Sequence, residues 1–460
     1  MKVISWKHIL WAISVVSLLV AIGWVCFQPG FEPILALLGA LAALIGSFFV
    51  EGKPGGAERL PAAVTLYDVE CGSKGVDLAG QRLRVSAAFG TYFTGLLETE
   101  QSYVPLPGQI DCPSHKGQEG LPPIQRIFWA LQDPKGPRVV ILAAEGGMGK
   151  STLAAKLVRC LYEREAVDMI VGDSAKSKHV DAVSGRILEH SPGYQTISGF
   201  YHRLCVQLGV PYENDGQALQ DIRGRLASRR AIIVVDNLET VTRGDQLLEV
   251  LPRITGRDIR AIVTTRQATG IKASDPQYLL VRLNPLLKRE TVLEFLHWHI
   301  SQHQNTHPNL TGLRADIDDR TRLGWLVQRS GGIPLLLQLL VSDIARTSWR
   351  QVQSMPTLFG DELLDYLYES RWQELGTLGQ IGLLSRDILL WLKLEQFDNR
   401  RITSKRLLEW SQEIGQEREL LDAINLLHER FLIVNHDPRN GNYAIFPSLL
   451  EFLSGHEARF

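Results

Sequence analysis

The order of apolar and polar residues divides the chain into regions of different character. Two apolar runs come first, at residues 9–26 and 33–50, and neither contains a charged residue. Each run is about as long as a helix that crosses a bilayer. Because only a short segment containing Pro29 and Gly30 separates them, the pattern predicts a transmembrane helical hairpin over residues 1–50.

Charged residues around this hairpin predict its orientation. Lys2 and Lys7 precede the first run, Lys53 and Arg59 follow the second, and the connection between the runs carries only Glu32. Basic residues collect on the cytoplasmic side of membranes, so we expect both termini and the region after the hairpin in the cytoplasm. The predicted location is the plasma (inner) membrane, with the hairpin as a multi-pass anchor.

The rest of the chain changes from linker-like composition to alternating strand and helix signals. Residues 51–120 contain many Gly and Pro residues and predict a linker or small juxtamembrane region. Beyond them, short runs rich in β-branched residues predict buried parallel strands, at 139–142, 168–172, 232–235 and 260–266. Helical periodicity lies around and between these runs, at 123–133, 153–165, 197–208 and 217–226. The predicted fold class is therefore α/β, with a parallel sheet between helices.

The first of these strands leads into a glycine-rich turn and then a helix, which is the layout of a P-loop. Glycines let successive backbone N–H groups face phosphate oxygens at a helix N-terminus. Lys150 is expected to reach the β- and γ-phosphates, and Ser151 to give its hydroxyl to Mg²⁺. Ala144 stands where the first glycine usually lies. The residues predicted to surround the nucleotide phosphates are Gly146, Gly147, Gly149, Lys150, Ser151 and Thr152.

The later strands deliver the other candidate catalytic residues. An Asp that ends a buried strand after a P-loop is typical of a Walker B element, so we expect Asp236 to hold Mg²⁺. Asn237 follows it, and an amide cannot accept a proton from water. Glu239 is able to act as the base only if its loop folds back, so slow or regulated hydrolysis is predicted. The next strand ends at Thr265 and Arg266, which we expect beside the γ-phosphate.

At this point the order of motifs resembles the NB-ARC/AP-ATPase branch of the STAND signalling NTPases. The resemblance implies a P-loop nucleotide-binding domain over 121–280, a helical subdomain over 281–350 and a winged-helix subdomain over 351–460. It also implies that Pro334 packs near the bound nucleotide. The segments that carry the similarity are AEGGMGKSTLA, VVDNLE, IVTTR, VRLNPLLKRETVLEFL and GGIPLLLQLL.

Two features depart from the pattern of that family. A histidine that often contacts the β-phosphate is replaced here by Phe446, which cannot make a polar contact. The usual adenine-side motif is also missing, and LPPIQRIF stands upstream of the P-loop instead. We therefore expect the lock on the ADP state to be altered or absent.

The function that the resemblance implies is a membrane-anchored switch. It would bind ATP or ADP with Mg²⁺, change conformation with the nucleotide, and form a homo-oligomer when an unidentified protein or ligand activates it. Prokaryotic defence or stress signalling is the expected setting. The hairpin would then be either the output module or only an anchor.

Two alternative functions rest on weaker signals. A membrane-tethered DNA-binding regulator is suggested by basic residues on the predicted winged helix, namely Arg400, Arg401, Lys405 and Arg406. A membrane tether and a net charge of −1 disfavour DNA as a partner, because nucleic-acid binders carry excess positive charge. A transporter-associated ATPase is suggested by residues 329–332, but two apolar helices make too small a permease.

A group of histidines follows the predicted sheet. His297, His299, His303 and His307 are close in sequence, and only His299 and His303 share a helical face. No Cys or carboxylate completes a zinc site. We expect this group to be a solvated helix end.

Overall fold

The apolar strand runs form the centre of one sheet. The protein structure is a computed structural model that describes residues 96, 110–112, 123–181, 183–227, 229–267, 275–304, 308–355, 357–397, 402–437 and 442–457. Its strands are β1 (Ile110–Asp111), β2 (Val139–Ala143), β3 (Met169–Ser174), β4 (Lys178–Val180), β5 (Ile187–Glu189), β6 (Ala231–Asp236), β7 (Ile259–Thr265), β8 (Tyr278–Leu283), β9 (Val434–Asp437) and β10 (Asn442–Ala444).

The main sheet has the order β1-β8-β2-β7-β6-β3. Its five longer strands run parallel, and the short β1 pairs antiparallel with β8 at the edge. Every residue of β2, β6 and β7 is buried, which explains why these strands read as continuous apolar runs instead of alternating ones. The predicted α/β fold with a parallel sheet is confirmed.

Helices cover this sheet and continue beyond it. They are α1 (Pro123–Gln132), α2 (Lys150–Glu163), α3 (Ile197–Leu208), α4 (Asp215–Leu226), α5 (Gly244–Ile254), α6 (Arg289–His303), α7 (Arg314–Asp318), α8 (Arg320–Ser330), α9 (Pro334–Arg346), α10 (Trp349–Gln353), α11 (Asp361–Thr377), α12 (Gly379–Phe397), α13 (Ser404–Glu413), α14 (Glu417–Glu429) and α15 (Pro447–Glu457). Short 3₁₀ turns occupy Leu238–Thr240 and Pro308–Leu313. The strands and helices named above all lie in one compact unit.

An apolar core joins one face of the sheet to α3, α4 and α5. It includes Val139 and Ile141 of β2, Ile233 of β6, and Phe200 and Leu204 of α3. On the helices these residues recur at the spacing that places them on one side. The core fixes the positions of the strand ends, and the candidate site lies at those ends.

Two features of this region differ from the sequence expectation. The antiparallel hairpin of β4 and β5 follows β3, and no strand is predicted there. The strand β8, Tyr278–Leu283, is likewise not among the predicted strands.

The part of the chain that follows β8, called the C-terminal region below, is mainly helical. Beyond residue 378 the structure has the helices α12, α13 and α14 and the two-stranded hairpin of β9 and β10, and the assignment of this region to a winged helix stays a prediction.

The membrane prediction concerns another part of the chain. None of the helices described by the structure combines the length and apolar character that crossing a bilayer requires. The predicted hairpin, residues 1–50, lies outside the described residues, as does most of 51–120.

Candidate functional site

The P-loop connects the end of β2 to the start of α2. Gly147 and Gly149 have φ angles of 77° and 84°, a left-handed conformation that only glycine adopts without cost. Gly149 is also the residue that caps the N-terminus of α2. The N–H of Ala144 donates to the carbonyl oxygen of Thr265 at 3.3 Å. The backbone therefore turns as a phosphate-binding loop requires, although the first glycine is replaced by alanine.

Lys150 is buried within this loop. Its Nζ donates to the carbonyl oxygens of Ala144 and Glu145, at 2.9 Å each. Burial lowers the pKa of Lys150 from 10.5 to about 7, and the negative charge of Glu239 opposes this effect. A polyphosphate beside Nζ would restore the charged form, because an anion favours the ammonium.

Asp236 lies at the carboxyl end of β6 and is fully buried. Its two carboxylate oxygens accept hydrogen bonds from the hydroxyls of Ser174 and Thr264, at 2.6 Å each. These partners stand on β3 and β7, the two strands that flank β6. Sequence reasoning did not identify Ser174 or Thr264. The sequence signal for these two partners is a hydroxyl residue at or near the carboxyl end of β3 and of β7.

Arg266 follows β7 directly and is paired with Glu239. The Nε of Arg266 lies 3.2 Å from Glu239 Oε1, and its backbone N–H donates to Oε2 at 3.1 Å. The guanidinium also donates to the carbonyl oxygens of Tyr366 and Leu367 in α11, at 3.3 and 3.2 Å. The loop after β6 thus turns back far enough to place the Glu239 carboxylate against Arg266.

A cavity of about 390 Å³ opens over the P-loop. Predicted residues that line it are Gly146, Gly147, Gly149, Lys150, Ser151, Thr152, Arg266 and Pro334. The structure therefore brings these predicted site residues together, with Asp236 buried below Thr264, which also lines the cavity. Residues on this wall that the sequence did not indicate include His179, Val180, Phe295, Trp298 and Gln338.

The residues around Lys150 are chemically suited to Mg²⁺. Magnesium prefers oxygen ligands, and it usually binds through one or two protein groups plus substrate phosphates and waters. The Ser151 hydroxyl, in the first turn of α2, and the Asp236 carboxylate, at the end of β6, supply such oxygens. Within the described part of the chain, no group of three or more His, Cys, Asp or Glu residues could hold a metal alone. A magnesium ion here would shield the negative charge of the nucleotide phosphates.

The helix α9 contacts the P-loop through its first turn. Pro334 is its first residue, and the N–H of Leu335 donates to the carbonyl oxygen of Gly147 at 3.2 Å. Before it, Gly331 has a φ angle of 63° and ends α8. An added Cβ at Gly331 would lie 3.0 Å from the ring of Phe446. Phe446 therefore packs against the turn that presents Pro334 to the P-loop.

A second C-terminal contact reaches the P-loop from α11. Arg371 pairs with both carboxylate oxygens of Glu145 through its two terminal nitrogens. The side chains of Arg371 and Glu145 are only 3% and 2% exposed. Arg371 also donates to the carbonyl oxygen of Arg430 at 3.0 Å. Two separate parts of the C-terminal region thus hold the same loop.

The histidine expectation was wrong in part. His299 is completely buried in α6, and the imidazole of His303 lies near it, with ring centroids 4.8 Å apart. His303 also lines the cavity. His297 is partly exposed and approaches Asp318 at 2.9 Å, while His307 lies outside the described residues. The helix α6 packs against α7, α8 and α9, and His299 lies on its buried side.

The basic residues that suggested DNA binding have acidic partners where they are described. Arg406 pairs with Glu395, with N–O distances of 2.7 and 2.8 Å, and Lys405 approaches Glu409 at 3.7 Å. Arg400 and Arg401 lie outside the described residues.

The strand order, the loop and the buried Asp define the class: this region is an α/β P-loop NTPase domain. Residues 132–269 match the family described as the AAA domain, so the domain is of the AAA type. This match and the geometry of the loop imply that the domain binds a nucleotide.

An uncharacterized WD repeat-containing protein of Nostoc sp. is 24% identical to the chain over 350 residues. The aligned part is 71% of this chain, and the chain spans only 25% of the Nostoc protein. Among solved structures, the Walker-type ATPase PABY2304 of Pyrococcus abyssi is similar at 16% identity and a TM-score of 0.44, covering 72% of this chain and 94% of that one. A RuvB variant of Thermotoga maritima is similar at 15% identity and a TM-score of 0.27, covering 69% and 87%.

Proposed function

We propose that this protein is an ATP/ADP-binding signalling switch of the STAND type. Residues 1–50 form its membrane hairpin, and the nucleotide-binding region faces the cytoplasm. Nucleotide state at the P-loop controls how the C-terminal region packs on that loop. The ATP-bound form opens and assembles into a homo-oligomer, and a protein or ligand trigger shifts the chain toward that form.

The observation that carries this proposal is the double contact between the C-terminal region and the P-loop. Leu335 binds the backbone of Gly147, and Arg371 binds the side chain of Glu145. A nucleotide shifts a conformational equilibrium only when it interacts differently with the two states. A γ-phosphate placed between Lys150 and Arg266 does so, because Arg266 is itself bonded to α11.

Two further features support the proposal. The motif order from the P-loop to GGIPLLLQLL resembles STAND proteins, which couple nucleotide exchange to assembly. The Nostoc relative is named for WD repeats, so a similar region occurs there together with a repeat module. Such repeats are suited to binding a trigger. Hydrolysis is slow or regulated, because Asn237 occupies the usual position of the base.

The test uses the full-length chain purified in detergent. Bound nucleotide is identified first, and the particle size is then compared in ADP and in a non-hydrolysable ATP analogue. We expect monomers with ADP and a larger assembly with the analogue. Lys150→Ala should abolish nucleotide binding, whereas Lys405→Ala, on an exposed helix face, should leave it unchanged.

Other outcomes decide against specific parts of the proposal. Unchanged nucleotide affinity in Lys150→Ala refutes the site. Normal binding with one particle size in both nucleotides refutes the switch. Recovery of the full chain in the soluble fraction of cells, without membranes, refutes the hairpin anchor.

A further inference from the structure

We propose that Glu239 is the general base for hydrolysis of the γ-phosphate, and that Arg266 holds it inactive until that phosphate binds. This inference rests on the proposed nucleotide binding at the P-loop. Asn237 occupies the usual position of the base after the Walker B aspartate, and its amide cannot perform this role.

Asn237 is committed to local structure. Its φ of 66° is left-handed, its backbone N–H donates to the Thr264 hydroxyl at 2.8 Å, and its side-chain amide donates to Thr240 at 3.0 Å. The amide has no basic lone pair that accepts a proton from water at neutral pH. Asn237 instead starts the 3₁₀ turn of Leu238–Thr240, which carries the chain back toward the strand ends.

Three carboxylates lie close to the loop, and two are already engaged. Glu145 is held by Arg371, and Asp236 is buried under two hydroxyl donors. None of the described residues that line the cavity is an Asp or a Glu. Glu239 is the third, and its side chain is about 10% exposed. Its Oε1 lies 3.2 Å from the Nε of Arg266, and Arg266 itself lines the cavity, so the carboxylate adjoins the phosphate site through this one side chain.

Arg266 is the group for which Glu239 and a γ-phosphate compete. Its guanidinium borders Gly146, since an added Cβ there would lie 3.2 Å from the Arg266 Cζ. It is therefore at the P-loop and at Glu239 at the same time. Arginine binds phosphate oxygens in a charge-assisted, often bidentate manner. When a γ-phosphate draws the guanidinium toward the loop, the Glu239 carboxylate keeps the backbone N–H of Arg266 on Oε2, and Oε1 becomes available to a water molecule.

The reaction is attack of this water molecule on the γ-phosphate. The water oxygen forms a bond to the γ-phosphorus, and the bond between that phosphorus and the β,γ-bridging oxygen breaks. The bond electrons remain on the leaving ADP, and the proton of the water passes to the Glu239 carboxylate. Products are ADP and inorganic phosphate, and Glu239 later returns the proton to solvent.

The experiment measures ATP hydrolysis and nucleotide affinity of the full chain with Mg²⁺. Glu239→Gln keeps the shape of the side chain and removes its basicity. We expect kcat to fall by about 10²–10⁴-fold, the usual contribution of a general base, while KM and ADP affinity stay within about threefold. Glu395→Gln is the matched control, because the Glu395 side chain is also about 10% exposed and pairs with Arg406, which does not line the cavity.

Each outcome has a defined meaning. A wild-type protein that binds no nucleotide refutes the proposed function itself. A wild-type protein that binds ATP, with unchanged kcat in Glu239→Gln, overturns the role of Glu239 and leaves His179 or His303 on the cavity wall as the base. An equal loss of kcat and affinity also overturns it, because a base acts only in the transition state.

A conservative variant protects the test against misfolding. If Glu239→Gln does not fold, Glu239→Asp retains a carboxylate but shortens its reach. We expect kcat to fall about tenfold in Glu239→Asp, since misplaced catalytic groups lose rate, with unchanged KM. Full activity in that variant would overturn the assignment.

Discussion

Replacing Arg371 with methionine removes the guanidinium that holds Glu145 of the P-loop. Methionine keeps most of the aliphatic volume, so the main change is the loss of charge and hydrogen bonds. Both partners are almost completely buried, at 3% and 2% exposure. The Glu145 carboxylate would keep only the N–H of Gly146, which donates to it at 2.8 Å.

The expected cost follows from this burial. Removing one partner of a buried ion pair typically costs about 3–5 kcal/mol, because the other charge is left without compensation in a low dielectric. This free energy is lost from the arrangement in which α11 packs on the P-loop. Since each 1.4 kcal/mol is a factor of ten, the open population should rise by roughly two to three and a half orders of magnitude.

Amide hydrogen exchange of the nucleotide-free protein measures this directly. Peptides from α11, Asp361–Thr377, should exchange faster by the same factor in Arg371→Met. This holds when the open form closes faster than its amide hydrogens exchange. The control is Arg406→Met, which breaks a more exposed ion pair with Glu395 and should cost about 1 kcal/mol or less. Exchange in α11 should not change in the control.

A double-mutant cycle separates the ion pair from general damage. Glu145→Gln in the Arg371→Met background removes the uncompensated charge, so the double variant should be more stable than Arg371→Met alone. We expect a coupling free energy above about 2 kcal/mol between the two positions. Additive effects, with coupling below about 0.5 kcal/mol, would refute the view that this pair fastens α11 to the loop.

Two further predictions concern the loop itself. The nucleotide-free pKa of Lys150 is about 7, whereas a polyphosphate requires the ammonium, so nucleotide affinity should fall by about tenfold per pH unit above pH 7. Titration calorimetry at pH 8.5 in buffers of different ionisation enthalpy should show uptake of about one proton, and no uptake near pH 8.5 would contradict this reasoning. Gly147→Ala should weaken nucleotide binding at least tenfold, because φ is 77° and the added Cβ would lie 2.8 Å from that of Leu335. The control Gly224→Ala adds a Cβ with no neighbour within 4 Å and should leave binding unchanged. Equal effects of the two substitutions would contradict the close contact at Gly147.

The strands and the P-loop were predictable because their signals are local. The runs that become β2, β6 and β7 are continuous and β-branched, as strands buried on both faces must be. The position of Asp236 follows from the same logic, since the carboxyl ends of parallel strands meet at one edge. Its hydroxyl partners Ser174 and Thr264 are identified only once the strand order is known, because that order places β6 between β7 and β3.

Other parts of the site were beyond sequence reasoning for physical reasons. Glu145 and Arg371 are 226 positions apart, and no periodicity encodes a pairing over such a distance. The hairpin of β4 and β5 has only three residues per strand, partly exposed, so it lacks the alternation that reveals a strand. The burial of His299 depends on packing between helices, and its neighbours on α6 do not reveal it.

The Arg371 contact shows how the C-terminal region is held on the P-loop although Phe446 replaces the histidine. In the family that the chain resembles, that histidine connects the C-terminal region to the nucleotide's phosphate. Phe446 instead packs on Gly331 and shares a small cavity of about 140 Å³ with Glu145 and Met148 of the loop. The contacts that join the C-terminal region to the P-loop are thus made to its protein atoms, by Arg371 and Leu335. In the proposed switch, the γ-phosphate would therefore act on this region through the displacement of side chains such as Arg266, and not through a bond of its own.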